Sequence, residues 1–290
     1  YIVFCKNTFP DDLILDGLRV AMDCANGATY KVAPIIFTEL GAEVTAIHAQ
    51  PDGKNINDRC GSQFTDDLVK AVRESGADVG LAFDGDGDRL IAVDERGSEL
   101  TGDHVLAVIT KSLKQRGLLK NDLLVVTPMS NLGLRVALDG MGVRYEDAEV
   151  GDRNVLELMK KRGAVLGGEQ SGHIIFLDLH TTGDGIITAL QLLAVMRRSG
   201  RKLSELAEVM KTAPQKTINV TVRQKIPLEE LPELQQAMAG ANAELGRRGR
   251  VLVRYSGTQM ICRVMVEGPD EETTVRLASR LADAVRERQG

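Results

Sequence analysis

The sequence predicts an α/β protein: two similar α/β domains with mostly parallel mixed sheets, followed by a smaller α+β C-terminal domain. Three observations predict it. Short apolar runs bounded by Gly and Asp alternate with helical-period segments from residue 17 to residue 200. That order occurs twice, the second time more weakly, and in each copy a strand is followed by a similar turn, Asp23-Cys24-Ala25-Asn26-Gly27 in one and Pro128-Met129-Ser130-Asn131-Leu132-Gly133 in the other. From about residue 213 the order becomes strand, helix, two consecutive strands and helix. Alternation implies a mostly parallel sheet faced by helices, whereas consecutive strands joined by a tight loop imply antiparallel pairing.

In the first copy the expected strands are 17–23, 42–47 and 78–83, with helices at 30–40 and 65–74. In the second, helices are expected at 103–115, 132–141, 154–161 and 185–198, and strands at 123–127 and 143–145. The last region should hold strands 217–222, 250–254 and 261–266, a helix at 228–245, and a helix at 271–288 that starts from an Asp270 N-cap. Domains are expected at 1–97, 98–212 and 213–290, the last reached through a linker at 211–215.

Composition narrows the function classes. The chain has 290 residues, enough for two or three cores, with 43% hydrophobic and 27% charged residues. Aromatic content of 3%, the lack of Trp and a net charge of -5 argue against a nucleic-acid binder, which needs stacking platforms and a basic field. A bound phosphate should therefore sit in a local basic pocket. The apolar stretch 190–196 is far shorter than the roughly 20 residues of a membrane span, so no membrane partner is expected. Residues 1–6 lack the pattern of a signal peptide and read as a cut end. Cys5, Cys24, Cys60 and Cys262 have no CxxC spacing, which argues against a zinc site or a disulfide framework and fits small buried hydrophobes in a reducing cytoplasm.

Three segments carry chemistry. In Asp84-Gly85-Asp86-Gly87-Asp88-Arg89, between the apolar runs 79–83 and 90–93, glycines let the backbone fold tightly enough for three carboxylates to converge. Converging carboxylates repel unless a hard cation neutralises them, and Mg²⁺ suits a site with few protein oxygens. A calcium-binding EF-hand loop fits less well: its twelfth position would be Glu95, but its sixth is Arg89 in place of Gly, and the flanks read as strands. The bland alternative is a solvated acidic turn.

Gly167-Gly168-Glu169-Gln170-Ser171-Gly172-His173 lies between apolar runs 164–166 and 174–176. It either presents Glu169, Gln170, Ser171 and His173 to sugar hydroxyls or is a hairpin turn whose glycines serve geometry alone. A histidine is the side-chain type best suited to proton transfer near neutral pH, and a structural role fits His173 equally. In Arg254-Tyr255-Ser256-Gly257-Thr258-Gln259, with Arg263 beyond, two guanidinium groups, hydroxyls and loop N–H groups can cradle a phosphate; the arginines could also be ordinary strand-end residues.

These loops, in this order, resemble the α-D-phosphohexomutase family, which carries D-G-D-G-D-R, G-E-x-S-G-H and R-x-S-G-T strings. The resemblance covers nearly the whole chain. It is nearest to the branch acting on glucosamine phosphates, through residues 23–30, Pro51-Asp52-Gly53, Asn55-Ile56-Asn57, Val150-Gly151-Asp152-Arg153, Gly168 to His173 and Thr182-Gly183-Asp184-Gly185.

The resemblance implies four domains around a cleft and an isomerase that interconverts glucosamine 6-phosphate and glucosamine 1-phosphate through a phosphoserine and a bisphosphorylated intermediate. It implies that Asp84, Asp86 and Asp88 hold Mg²⁺, that Glu169 and Ser171 grip sugar hydroxyls, that His173 is a candidate general acid or base, and that Arg254, Ser256, Gly257, Thr258 and Arg263 clamp the phosphate not reacting. Expected partners are glucosamine phosphate and its bisphosphate. A phosphomannomutase or phosphoglucomutase, and a non-catalytic sugar-phosphate or Ca²⁺-binding module, remain alternatives, as do monomer and homodimer. The chain departs from the family in two ways: no T-A-S-H-N-P-like string occurs, so the phosphoserine is expected to be absent, and Gln259-Met260 stands where the family usually has Glu-Pro.

Overall fold

The structure, a computed structural model, describes residues 1–257 and 259–289, leaving aside the side chains at 247, 288 and 289. The chain divides into two compact units: residues 1–130 with 134–210, and residues 131–133 with 211 onward.

The first unit begins with helix α1 (Ile2–Lys6), followed by β1 (Arg19–Asp23), α2 (Thr29–Glu39), β2 (Glu43–Ile47), α3 (Asp66–Ser75), β3 (Val79–Phe83), β4 (Leu90–Asp94) and β5 (Glu99–Leu100). Their sheet has the order β2-β1-β3-β4-β5, with the first three strands paired in parallel and the β3–β4 and β4–β5 pairings antiparallel. After α4 (Gly102–Gln115) come β6 (Leu123–Val126), α5 (Leu132–Met141), β7 (Arg144–Asp147), α6 (Asp152–Arg162), β8 (Leu166–Gly168), β9 (Ile174–Phe176), α7 (Gly185–Ser199) and α8 (Leu203–Ala207). The second sheet, β7-β6-β8-β9, repeats the plan of the first: two parallel pairs, then an antiparallel partner.

Strands β3 and β4 are buried throughout, as expected of strands covered on both faces. One apolar cluster runs from Met22, Phe37 and Phe83 through Leu106 and Ile109 of α4 to Leu124 and Leu134, so the two sheets share a core. Burying each such side chain contributes about 1.5–3 kcal/mol. That shared core holds the loops at the ends of β3 and β8 in fixed register.

The second unit contains β10 (Gln215–Thr221), α9 (Pro232–Leu245), β11 (Arg250–Tyr255), β12 (Ile261–Glu267) and α10 (Glu271–Gln289), with an antiparallel sheet in the order β10-β12-β11. Its core, including Leu234, Val264, Leu277 and Leu281, is separate. Asp270 caps α10, its Oδ1 accepting from the Thr273 N–H at 2.7 Å.

Some elements differ from the sequence expectation. The helix expected over 228–245 starts at Pro232, and residues 228–230 form a 3₁₀ turn. Proline suits the first helical position and pushes the residue before it out of helical conformation, as Leu231 shows at φ -109, ψ 88. The strand before the sugar-loop candidate is Leu166–Gly168, so Gly167 and Gly168 are strand residues paired with Ile175 and Ile174. Helices α1 and α8 were not anticipated, because five residues are too few to display a helical period.

Candidate functional site

The acidic loop joins β3 to β4, whose antiparallel pairing ends at Phe83 and Leu90. Within the turn, Asp84 Oδ1 accepts from the backbone N–H groups of Gly87 (3.0 Å) and Arg89 (3.1 Å), and Gly87 adopts φ +80. The flanking elements are strands, and Glu95 accepts from the backbone N–H (3.2 Å) and hydroxyl (2.5 Å) of Ser204. Neither feature fits an EF-hand.

Asp84 and Asp88 lie side by side, whereas Asp86 is exposed. Burial, and then the Asp88 carboxyl, raise Asp84 above the usual carboxylate range. Asp88 Oδ1 is buried without a hydrogen bond among the described residues. Its nearest cation among those residues is Arg89 Nε at 4.0 Å, and neighbouring carboxylates with an oxygen lacking a hydrogen bond are a donor set that a hard divalent cation completes, so the residues fit Mg²⁺.

The sugar-loop candidate, residues 169–173, is closed by Glu169 N–H to His173 O and by Gly172 N–H to Glu169 O, each at 3.0 Å. Ser171 is exposed and Glu169 half-buried, with its Oε1 accepting from the Gly151 N–H at 3.2 Å. His173 is only 3% exposed, and neither ring nitrogen has a hydrogen bond among the described residues. Its Nε2 lies 3.8 Å from Asp88 Oδ2.

Backbone contacts bring these two loops together. Leu90 N–H donates to Gly172 O at 3.1 Å, Arg89 and His173 form an antiparallel bridge, and Gly102 N–H donates to Gln170 O at 3.0 Å. The start of α7 joins them through Gly185 N–H to Gly87 O at 2.9 Å. Gly183 packs against the His173 ring, where an added Cβ would lie 2.3 Å from Nε2.

The phosphate-loop candidate belongs to the second unit, between β11 and β12. Arg254 and Arg263 are direct cross-strand partners. Burial, and then the charge of Arg263, lower the Arg254 pKa, and Arg263 Nε is buried without a partner among the described residues. Two neighbouring guanidinium groups favour an anion between them. Ser256 is buried, its Oγ accepting from the Gln259 N–H at 3.3 Å, while Gly257 is exposed. Thr258 lies outside the described residues.

Sequence reasoning gave no role to the residues that brace the acidic loop. Asn57 Oδ1 accepts from the Gly85 N–H at 2.8 Å, and Ala28 N–H donates to Gly85 O at 2.8 Å. A Cβ on Gly27 would lie 2.2 Å from that same oxygen. The available signal was an Asn and a Gly in loops facing a glycine-rich turn, which a linear reading cannot pair.

The described fold agrees with comparisons to known proteins. Residues 5–97 match the family description "Phosphoglucomutase/phosphomannomutase, alpha/beta/alpha domain II", residues 101–213 match alpha/beta/alpha domain III, and residues 218–284 match the C-terminal domain. The chain is 60% identical to a phosphoglucosamine mutase of Syntrophobacter fumaroxidans over 99% of its own length and 64% of the relative's. It is 53% identical to that of Syntrophus aciditrophicus over 100% of its own length and 65% of the relative's. It thus spans under two thirds of these curated relatives.

Among solved structures, a phosphoglucomutase/phosphomannomutase family protein from Burkholderia thailandensis has a TM-score of 0.79 at 21% identity, covering 99% of this chain and 63% of that one. An N-acetylphosphoglucosamine mutase from Aspergillus fumigatus, solved in complex with GlcNAc-6P and magnesium, also has a TM-score of 0.79, at 18% identity, covering 99% of this chain and 64% of that one. With its three regions matched in order by one family's descriptions, the chain belongs to the phosphoglucomutase/phosphomannomutase family of phosphohexomutases.

Proposed function

We propose that these residues are part of a phosphoglucosamine mutase, which interconverts glucosamine 6-phosphate and glucosamine 1-phosphate through a phosphoserine and a bisphosphorylated intermediate. The product would feed amino-sugar nucleotide and cell-wall precursor synthesis. The observation that carries the reading is the meeting of an acidic loop, whose buried Asp88 Oδ1 has no hydrogen bond among the described residues, with a buried His173 whose Nε2 is 3.8 Å from Asp88 Oδ2 and likewise has no hydrogen bond among them. The curated relatives' names favour a glucosamine substrate over mannose or glucose.

In this reading residues 1–97, 98–212 and 213–290 supply metal, sugar and phosphate binding respectively. Asp84, Asp86 and Asp88 hold Mg²⁺, which supplies positive charge beside a transferring phosphoryl group. Glu169 and Ser171 bind sugar hydroxyls, and Glu169 is already oriented by the Gly151 N–H. His173 gives or takes a hydroxyl proton, because its ring is held by Gly183 and neither nitrogen is engaged among the described residues. Arg254, Ser256, Gly257, Thr258 and Arg263 clamp the phosphate that is not reacting. The donor serine is not among these 290 residues, which contain no T-A-S-H-N-P-like string. Cytoplasmic residence belongs to the same reading and is supported by four cysteines that remain buried free thiols.

Two assays test this. A chain extended at its amino end to the span of its relatives should turn over glucosamine phosphates faster than glucose or mannose phosphates in direct competition. The 290 residues alone should bind glucosamine phosphate and Mg²⁺ in calorimetry without turning over. Normal turnover by the 290 residues with added bisphosphate would refute the missing donor, and Ca²⁺ binding without sugar-phosphate binding would favour a non-catalytic module.

A further inference from the structure

Cysteine spacing argues against a zinc site, yet the fold places an Asp, a His and a Cys from three separate segments together. Asp23 ends β1, His48 follows β2, and Cys60 lies in the long loop between β2 and α3; one ligand atom from each lies within 4.8 Å of the other two. Asp23 is 0% exposed and Cys60 1%, while the His48 side chain, at 26%, leaves a path from solvent. Asp23 Oδ2 lies 2.9 Å from His48 Nδ1 and accepts from the Gly61 N–H at 2.9 Å. His48 Nε2 lies 3.2 Å from Asp67 Oδ2, in the first turn of α3. A metal-ligating histidine commonly has its other nitrogen held by a carboxylate in this way.

We propose that Asp23, His48 and Cys60 form a binding site for a thiophilic divalent cation of the Zn²⁺ class, separate from the Asp84–Asp88 loop, with Asp67 orienting His48. A thiolate, an imidazole and a carboxylate are the ligand types such an ion prefers over Mg²⁺ or Ca²⁺. Tetrahedral coordination at the usual bond lengths sets ligand atoms about 3.3–3.8 Å apart, so the cluster contracts around the ion while the close His48–Asp23 contact opens slightly. Binding displaces the Cys60 thiol proton and any proton on the His48 nitrogen that coordinates, both released to solvent, and leaves the fourth position to water. The site also touches the proposed active loop indirectly. Asp23 holds Gly61, in the same loop whose Asn57 holds Gly85, so occupancy should stiffen the bracing of the acidic turn.

Cobalt(II) is the probe, added to the 290-residue chain in excess Mg²⁺, which occupies carboxylate-only sites. One equivalent of Co²⁺ should produce a near-ultraviolet sulfur-to-cobalt charge-transfer band that Zn²⁺ abolishes. The band should be lost in Cys60→Ser and persist in Cys5→Ser. Asp67 is exposed, so Asp67→Asn should fold, and it should weaken Co²⁺ binding roughly 10-fold to 100-fold. Should Cys60→Ser fail to fold, mass-mapped alkylation of wild-type protein decides: Zn²⁺ must slow modification of Cys60 and not of Cys262. No sulfur band in wild-type protein, a band that survives in Cys60→Ser, or Cys60 alkylation unaffected by Zn²⁺ would each overturn the site, whatever the outcome of the mutase assay.

Discussion

Asn57 provides the sharpest test of how the acidic loop is held. Its backbone sits at φ 57, in the left-handed region, and its side-chain Oδ1 accepts from the buried Gly85 N–H at 2.8 Å. Asn57→Gly keeps that backbone geometry while removing the acceptor together with the rest of the side chain. An unpaired N–H costs about 1–3 kcal/mol, and the exposed position of Asn57 favours the lower half of that range. For a unit of this size, about 1–2 kcal/mol corresponds to a thermal midpoint lower by roughly 2–8 °C. Asn57→Ala keeps a Cβ in the left-handed region without the short polar group that lets Asn adopt it, and should cost about 1–2 kcal/mol more than Asn57→Gly, while Asn57→Asp retains an acceptor and should stay near wild type. Mg²⁺ affinity, measured by titration calorimetry, should fall roughly 10-fold to 100-fold in Asn57→Gly, as for other outer-shell supports of a metal site. If Asn57→Gly melts lower but binds Mg²⁺ normally, the loop does not depend on this brace. If all three variants melt like wild type, the energetic reasoning itself fails.

Other expectations follow from the same geometry. Gly183→Ala places a methyl against the His173 ring, and an ångström of displacement should cost the extended, active chain about 100-fold in turnover; unchanged turnover would remove His173 from proton transfer. Arg263→Ala relieves a like-charge cross-strand pair, so stability without ligand should change by less than about 1 kcal/mol. The same substitution should greatly reduce the stabilisation seen on adding a hexose phosphate, read by thermal melting in both conditions. Leu106→Ala, in the core shared by both sheets of the first unit, should destabilise by about 2–5 kcal/mol in denaturant unfolding. Burial pushes the thiol of Cys24 up to about 12 and those of Cys5, Cys60 and Cys262 to about 11. The unfolded chain therefore loses these protons first, so their contribution is complete below about pH 8.5 and declines as pH rises toward the folded values. Melting between pH 7 and pH 10 should show a smaller decline in Cys24→Ala than in wild type.

The sequence by itself determined the fold class, because hydrophobic period is a local property: strands such as Val79–Phe83 and helices such as Gly102–Gln115 carry their burial pattern in consecutive residues. It also marked the acidic loop and the candidate sugar and phosphate loops, since glycines beside charged residues between buried strands point to loops that present polar groups. Only the tertiary structure decided which loops meet. The contacts of Gly85 with Asn57, of His173 with Gly183, and of Asp23 with His48 and Cys60 join residues separated by ten or more positions and lying on different turns. Such pairings are set by strand order and by close backbone approach across a shared core, and neither quantity is written in any single stretch of residues.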